Sequence, residues 1–149
     1  MPALRILPGP PPLLGAPTWS RAWPARAEEA PQRAAEAAAA IMAAGPVAAD
    51  DEPWLRLCMD EVVVNAIIHG NDADPDLEVR ADLWIREGGW AFRIADRGTG
   101  FAPEQVPDPA DPRSLLLEHG RGIRIMLDWL DELIYYHGGS TAHLARRYR

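Results

Sequence analysis

Glu61, Asn65 and His69 stand four residues apart inside the run from Asp60 to Gly70. On an α-helix that spacing places all three along one side. Val63, Ala66, Ile67 and the neighbouring Leu57 and Met59 supply apolar surface around the rest. A carboxylate, an amide and an imidazole in one row offer an acid or base and an oxygen able to hold magnesium. Such a set suits phosphoryl transfer, where a protein mainly positions groups and stabilises charge. A structural helix with a polar edge carries the same row, so the row alone does not decide.

Composition narrows the chemistry. The chain has 149 residues, 48% of them apolar, which fits one domain with a real core. Its formal net charge of −7 lacks the basic footprint of a nucleic-acid binder, so no direct nucleic-acid contact is expected. All 15 basic residues are arginine. Chemistry that needs a lysine, such as a P-loop or a Schiff base, is therefore excluded. The single cysteine, Cys58, rules out an intramolecular disulfide or a cysteine-rich zinc site and reads as a buried, inert thiol. No run approaches the roughly 20 apolar residues that span a bilayer. Prolines at 8, 10, 11 and 12 interrupt any apolar signal segment. A soluble cytoplasmic protein without membrane contact is the expectation.

The elements that must position the row follow from local patterns. Residues 1–17 read as a flexible Pro/Gly-rich arm ahead of a domain over 18–149. Thr18 to Trp23 alternates weakly, as an edge strand ended by Pro24. Glu28 to Ala44 is alanine-rich and helical, with Gly45-Pro46 as its stop. Asp50 and Asp51 offer an N-cap, with Pro53 in the first turn, to a helix reaching His69 and closed by Gly70. Asn71-Asp72 then begins a loop. Leu77 to Arg86 alternates, with Leu77, Val79, Ala81, Leu83 and Ile85 on one face, and Trp90 to Ala95 returns after a Gly88-Gly89 turn. Between Asp96 and Gly122 lies a long connection rich in proline and acid, with a short helical turn at Leu115-Leu116-Leu117; such loops act as lids or stay unstructured. A helix over Gly122–Leu130 follows, then a strand over Leu133–His137, a Gly138-Gly139 turn and a last strand over Thr141–Tyr148.

Two glycine-bearing stretches join the helical row. Asp96-Arg97-Gly98-Thr99-Gly100-Phe101 comes straight after a strand, and Gly120-Arg121-Gly122 straight before a helix. Glycines there allow close backbone approach to a ligand. A helix start near Gly122 offers free N–H groups to phosphates. Asp96 could accept from an amino group on a base. Each stretch alone is an ordinary turn or loop; the three in this order, with a long lid between the last two, are specific.

On these residues the chain resembles the GHKL, or Bergerat-fold, ATPase superfamily, and within it the small serine-protein kinases that act as bacterial anti-sigma factors. Glu61 to Gly70 is similar to the N box. Asp96 to Phe101 is similar to the first glycine box. Gly120 to Met126, followed by Asp131-Glu132-Leu133, is similar to the second, and Gly139-Ser140-Thr141 to the terminal threonine element. The match covers roughly residues 18–149. It implies an α/β sandwich, with helices on one face of a mixed, largely antiparallel sheet and ATP between helices and lid. It implies that Asn65 binds Mg²⁺, that Glu61 is the catalytic base or orients the acceptor hydroxyl, and that Asp96 accepts from the adenine amino group with Thr141 behind it. Gly98 and Gly100 would meet the nucleotide, Gly120 and Gly122 would cap its phosphates, and His69 would touch phosphate or cap the helix.

The resemblance also implies partners: a STAS-type anti-anti-sigma protein whose serine is phosphorylated, a sigma factor, and a second copy in a homodimer. Trp19 and Trp23 are candidates for a partner surface. Related histidine kinases need a helical phosphoacceptor segment that residues 1–17 do not supply. One departure matters. Some members carry an arginine before the second glycine box that holds the γ-phosphate, and here Leu117-Glu118-His119 stands there. Arg121 could reach the same oxygens, with Arg124 behind it, while Arg97 reads as a surface residue. The departure keeps open a second function: a catalytically weak, nucleotide-responsive module that sequesters a partner.

Overall fold

The computed structural model describes residues 4–97 and 122–148. Most of the long connection expected after Asp96, including Leu115-Leu116-Leu117, lies outside them. Among the described residues, six strands form one sheet in the order β1-β5-β6-β4-β3-β2. Only β1 and β5 run parallel; every other pair is antiparallel. Among the described residues, three helices pack on one face, so the fold is the mixed α/β sandwich expected.

The alternating run becomes β3 (Glu78–Arg86), and β4 (Gly89–Ala95) returns beside it. Val79, Ala81 and Leu83 are fully buried toward the helices. The connection is Glu87-Gly88 rather than the glycine pair. Gly88 takes φ 75°, where a side chain would be strained, and Gly89 already pairs with Arg147 across the sheet. β2 (Trp19–Pro24) pairs with β3 and leaves Pro24 at the sheet edge, where its missing N–H costs no ladder bond.

α1 (Ala30–Ala44) starts after a 3₁₀ turn and buries Ala30, Ala34, Ala37, Ala38 and Ile41. Alanine on that stripe lets α2 (Glu52–Val64) approach closely, burying Leu55, Cys58, Met59, Val62 and Val63. Burial pushes the Cys58 thiol up to about 12, which leaves it protonated and unreactive. Pro53 occupies the first turn of α2, but Asp51 makes no side-chain cap bond. Asp51 instead faces Arg146 at 3.7 Å, and the Arg146 guanidinium also donates to the Trp129 carbonyl and lies 4.2 Å over the Trp129 ring. That residue ties the start of α2 to the end of α3 (Gly122–Trp129), whose Ile123, Met126 and Leu127 are buried. β5 (Glu132–Tyr136) and β6 (Thr141–Arg147) close the sheet across a turn with Gly138 at φ 70°.

The arm expected to stand apart from the domain belongs to its sheet. β1 (Arg5–Ile6) pairs with Ile134 and Tyr135. The chain then crosses the sheet face away from the helices as a strap. Gly9 O accepts from His137 N at 2.9 Å, Pro12 O from Arg93 Nη1 at 2.6 Å and Gly15 O from Trp84 Nε1 at 3.0 Å. Proline explains the form. A proline-rich segment lacks N–H groups for a ladder but keeps every carbonyl, and the sheet face beneath supplies the donors. Trp23, a candidate for a partner surface, is only 3% exposed; it packs in the core edge-on to Trp19 at 6.0 Å, because β2 turns it toward α1.

Candidate nucleotide site

Glu61, in the last turn of α2, and Asn65, the residue that follows α2, sit one turn apart, both half-buried. Burial, and secondarily the neighbouring Asp60 charge, raises the Glu61 pKa above the ordinary carboxylate value. The Glu61 charge in turn helps hold the fully buried Tyr135 phenol on β5 in its neutral form, behind the larger effect of burial. A carboxyl shifted upward is a better proton acceptor at neutral pH than an exposed one, provided it still ionises there.

At Asn65 the helix changes pitch. Asn65–Gly70 is a π-helical turn, and Asn71 N donates to Ala66 O, five residues back, at 3.1 Å. Turns of this kind recur at functional sites because they rotate the residues that follow. The wider turn carries His69, which is exposed. It also brings Gly70 onto the side chain of Asp96. A Cβ at position 70 would lie 2.9 Å from Asp96 Cβ and closer still to its Cγ and Oδ2. A side chain there would therefore displace the Asp96 carboxylate.

Asp96 follows the last residue of β4. Its N–H donates to Ser140 O at 2.9 Å, and the next amide, Arg97 N, donates to Asn71 Oδ1 at 2.7 Å. Asn71 Nδ2 donates to Glu78 O at 3.1 Å, and Asn71 is 1% exposed. Read from the sequence as the start of a loop, Asn71 is a buried brace; an asparagine after Gly70 carries no signal of that burial. The Arg97 side chain is exposed, as expected.

The register also relocates Thr141. It pairs with Ala95 and alternates with the core residues Ala142 and Leu144, which places it on the strap face with His143 and Ala145. Asp96 meets Gly70 on the helix face. Thr141 thus does not stand behind Asp96, and Ser140 is the hydroxyl residue next to Asp96 along the ladder. The alternation Thr-Ala-His-Leu was the available signal. Gly122 opens α3, and Arg124 is exposed on it. Gly98, Gly100, Gly120 and Arg121 lie outside the described residues.

The arrangement joins the end of α2 to the end of β4, with a half-buried carboxyl and amide on one side and an aspartate on the other. No cluster of three metal-binding side chains occurs among the described residues. The donor set suits a cation that takes most of its oxygens from a ligand's phosphates and water and one from Asn65, as Mg²⁺ does with nucleotides.

Residues 23–145 match the histidine kinase-like ATPase domain family, and the chain belongs to it. Within that class the chain is similar to anti-sigma F factors. It is 31% identical to the one from Geobacillus stearothermophilus over 66% of this chain and 71% of that protein. It is 31% identical to that of Geobacillus sp. (strain WCH70) over 65% and 70%, and 30% identical to that of Geobacillus kaustophilus (strain HTA426) over 65% and 70%.

Proposed function

We propose that this protein is an ATP-binding anti-sigma factor with serine-protein kinase activity, acting in the cytoplasm on a STAS-type anti-anti-sigma protein and retaining a sigma factor. The contact of Gly70 with Asp96 supports this reading most directly. It holds the Asp96 carboxylate against the π turn that begins at Asn65, one helical turn beyond Glu61, as a shared nucleotide site would require. Bound ATP with Mg²⁺ would supply the phosphoryl group and the cation that offsets its charge.

The chain's own groups would do the rest. Asn65 offers its side-chain oxygen to the cation. Glu61 accepts the proton of the incoming serine hydroxyl or orients that hydroxyl. Asp96 accepts from the adenine amino group, with Ser140 beside it in place of Thr141. Gly98 and Gly100 meet the nucleotide, and His69 lies at the rim. Gly120, Arg121 and Gly122 present donors to the phosphates at the start of α3. A second copy of the chain belongs to the same proposal.

A transfer assay with the STAS-domain partner tests it. Glu61→Gln should bind Mg·ATP as wild type does yet lose roughly 10²–10⁴-fold in kcat, the usual worth of a positioned base. The acid limb of the wild-type rate profile should lie above pH 4.5, the ordinary value for glutamate, and vanish in that variant. Undiminished transfer by Glu61→Gln would refute the assignment. Leu117-Glu118-His119 in place of a phosphate-holding arginine favours a second reading, a nucleotide-responsive module with weak catalysis. Tight sigma retention that responds to Mg·ATP without detectable transfer would select it.

A further inference from the structure

We propose that Asn71 is a positioning residue that sets the base-reading carboxylate of Asp96, and so governs the preference for adenine. The inference rests on the reading of Asp96 given above. Asn71 joins three segments: the π turn, the start of β3 and the residue after Asp96. Its backbone N–H closes the π turn on Ala66 O, its Nδ2 holds the start of β3 at Glu78 O, and its Oδ1 receives Arg97 N. Asp96 is therefore fixed from both sides along the backbone: its own amide is tied to Ser140, just before β6, and the next amide to Asn71. Gly70, the residue before Asn71, lies against the Asp96 side chain.

This geometry makes the brace directional. A shift of the Asn71 side chain moves the Arg97 amide and, with it, the Asp96 backbone. The π turn places Gly70 and Asn71 together, so the same wide turn sets both the space for the carboxylate and the anchor behind it. Asn71 is buried and both ends of its amide are used, one as donor and one as acceptor. Only a neutral side chain with both functions can replace it.

The test compares Mg·ATP with Mg·ITP, which carries an oxygen where adenine carries its amino group. Affinities are measured by calorimetry for wild type, Asp96→Asn, Asn71→Ala and Asn71→Asp. Wild type should prefer Mg·ATP. Asn71→Ala should weaken Mg·ATP by roughly tenfold, the scale of one well-made hydrogen bond, and leave Mg·ITP nearly unchanged. Asn71→Asp should regain the preference as pH falls, because a protonated carboxyl accepts from Arg97 N and donates to Glu78 O as the amide does. Asn71→Asp also keeps the test open should Asn71→Ala fail to fold. An undiminished ATP:ITP ratio in a folded Asn71→Ala, or a ratio in Asn71→Asp that ignores pH, overturns the proposal. A wild type that binds neither nucleotide, or an Asp96→Asn that keeps the wild-type ratio, overturns the reading of Asp96 instead.

Discussion

The two faces of the sheet handle polar groups in opposite ways. On the helix face, Glu61, Asn65 and Asp96 are set by backbone geometry at the ends of α2 and β4. On the strap face, polar side chains are spent on one another. Arg93 Nε donates to His143 Nδ1 at 3.0 Å, and His143 Nε2 meets Glu132 Oε2 at 2.9 Å. The Arg93 guanidinium also lies 5.3 Å over Trp84 and donates to Pro12 O. Arg93 and His143 are 8% and 5% exposed. A buried network with its partners in place specifies a structure; half-buried polar groups at the ends of elements suit a ligand. On the proposed function the same sheet carries a stability side and a chemistry side, and substitutions can separate them.

Gly70→Val should break the chemistry side most severely. Its side chain would occupy the space of the Asp96 carboxylate, and Mg·ATP affinity should fall about 100-fold, near 3 kcal/mol. Calorimetry reads the affinity and a thermal melt reads the fold; a variant binding as tightly as wild type would separate Asp96 from the nucleotide. Arg93→Ala should do the reverse. Removing one member of a buried network should cost about 2–4 kcal/mol of stability with nucleotide affinity unchanged. Equal losses in denaturation and in binding would dissolve the distinction between the faces.

The smallest effect is one of pH. Burial lowers the His143 pKa below its ordinary 6.5, against the opposing hydrogen bond that His143 donates to Glu132, with the Arg93 and Arg86 charges adding to the lowering. The unfolded chain therefore takes up the proton first as pH falls. Stability should be full above pH 6.5 and decline as pH drops through and below it. Protonation also removes the lone pair that accepts from Arg93. A melting midpoint that ignores this range, or one that moves equally in His143→Gln, would take the imidazole out of the account.

Much of the helix face was legible because its signals are periodic. The alternation Leu77 to Arg86 and Gly88 announced the hairpin, and the spacing of Glu61 and Asn65 announced the half-buried polar edge of the helix. The π turn was not legible, since Ala66, Ile67 and Ile68 suit either pitch and only tertiary contact with Asp96 decides between them. Asn71 was hidden for a related reason: its burial depends on β3 and β4 converging beside it. The strap was misread because proline and glycine punctuate linkers and straps alike. What separates the two is a face of matching donors, and Trp84 and Arg93 lie some 70 to 80 positions further on. Thr141 could have been placed by the period of two through Ala142 and Leu144.

The pairing of Arg5 with Ile134 has a consequence for how the chain assembles. The first strand has no neighbour until the fifth exists, and the strap's acceptors wait for donors on β3, β4 and the β5–β6 turn. Closing so long a loop is entropically late, so the segment made first should dock last, after the helices and central strands have condensed.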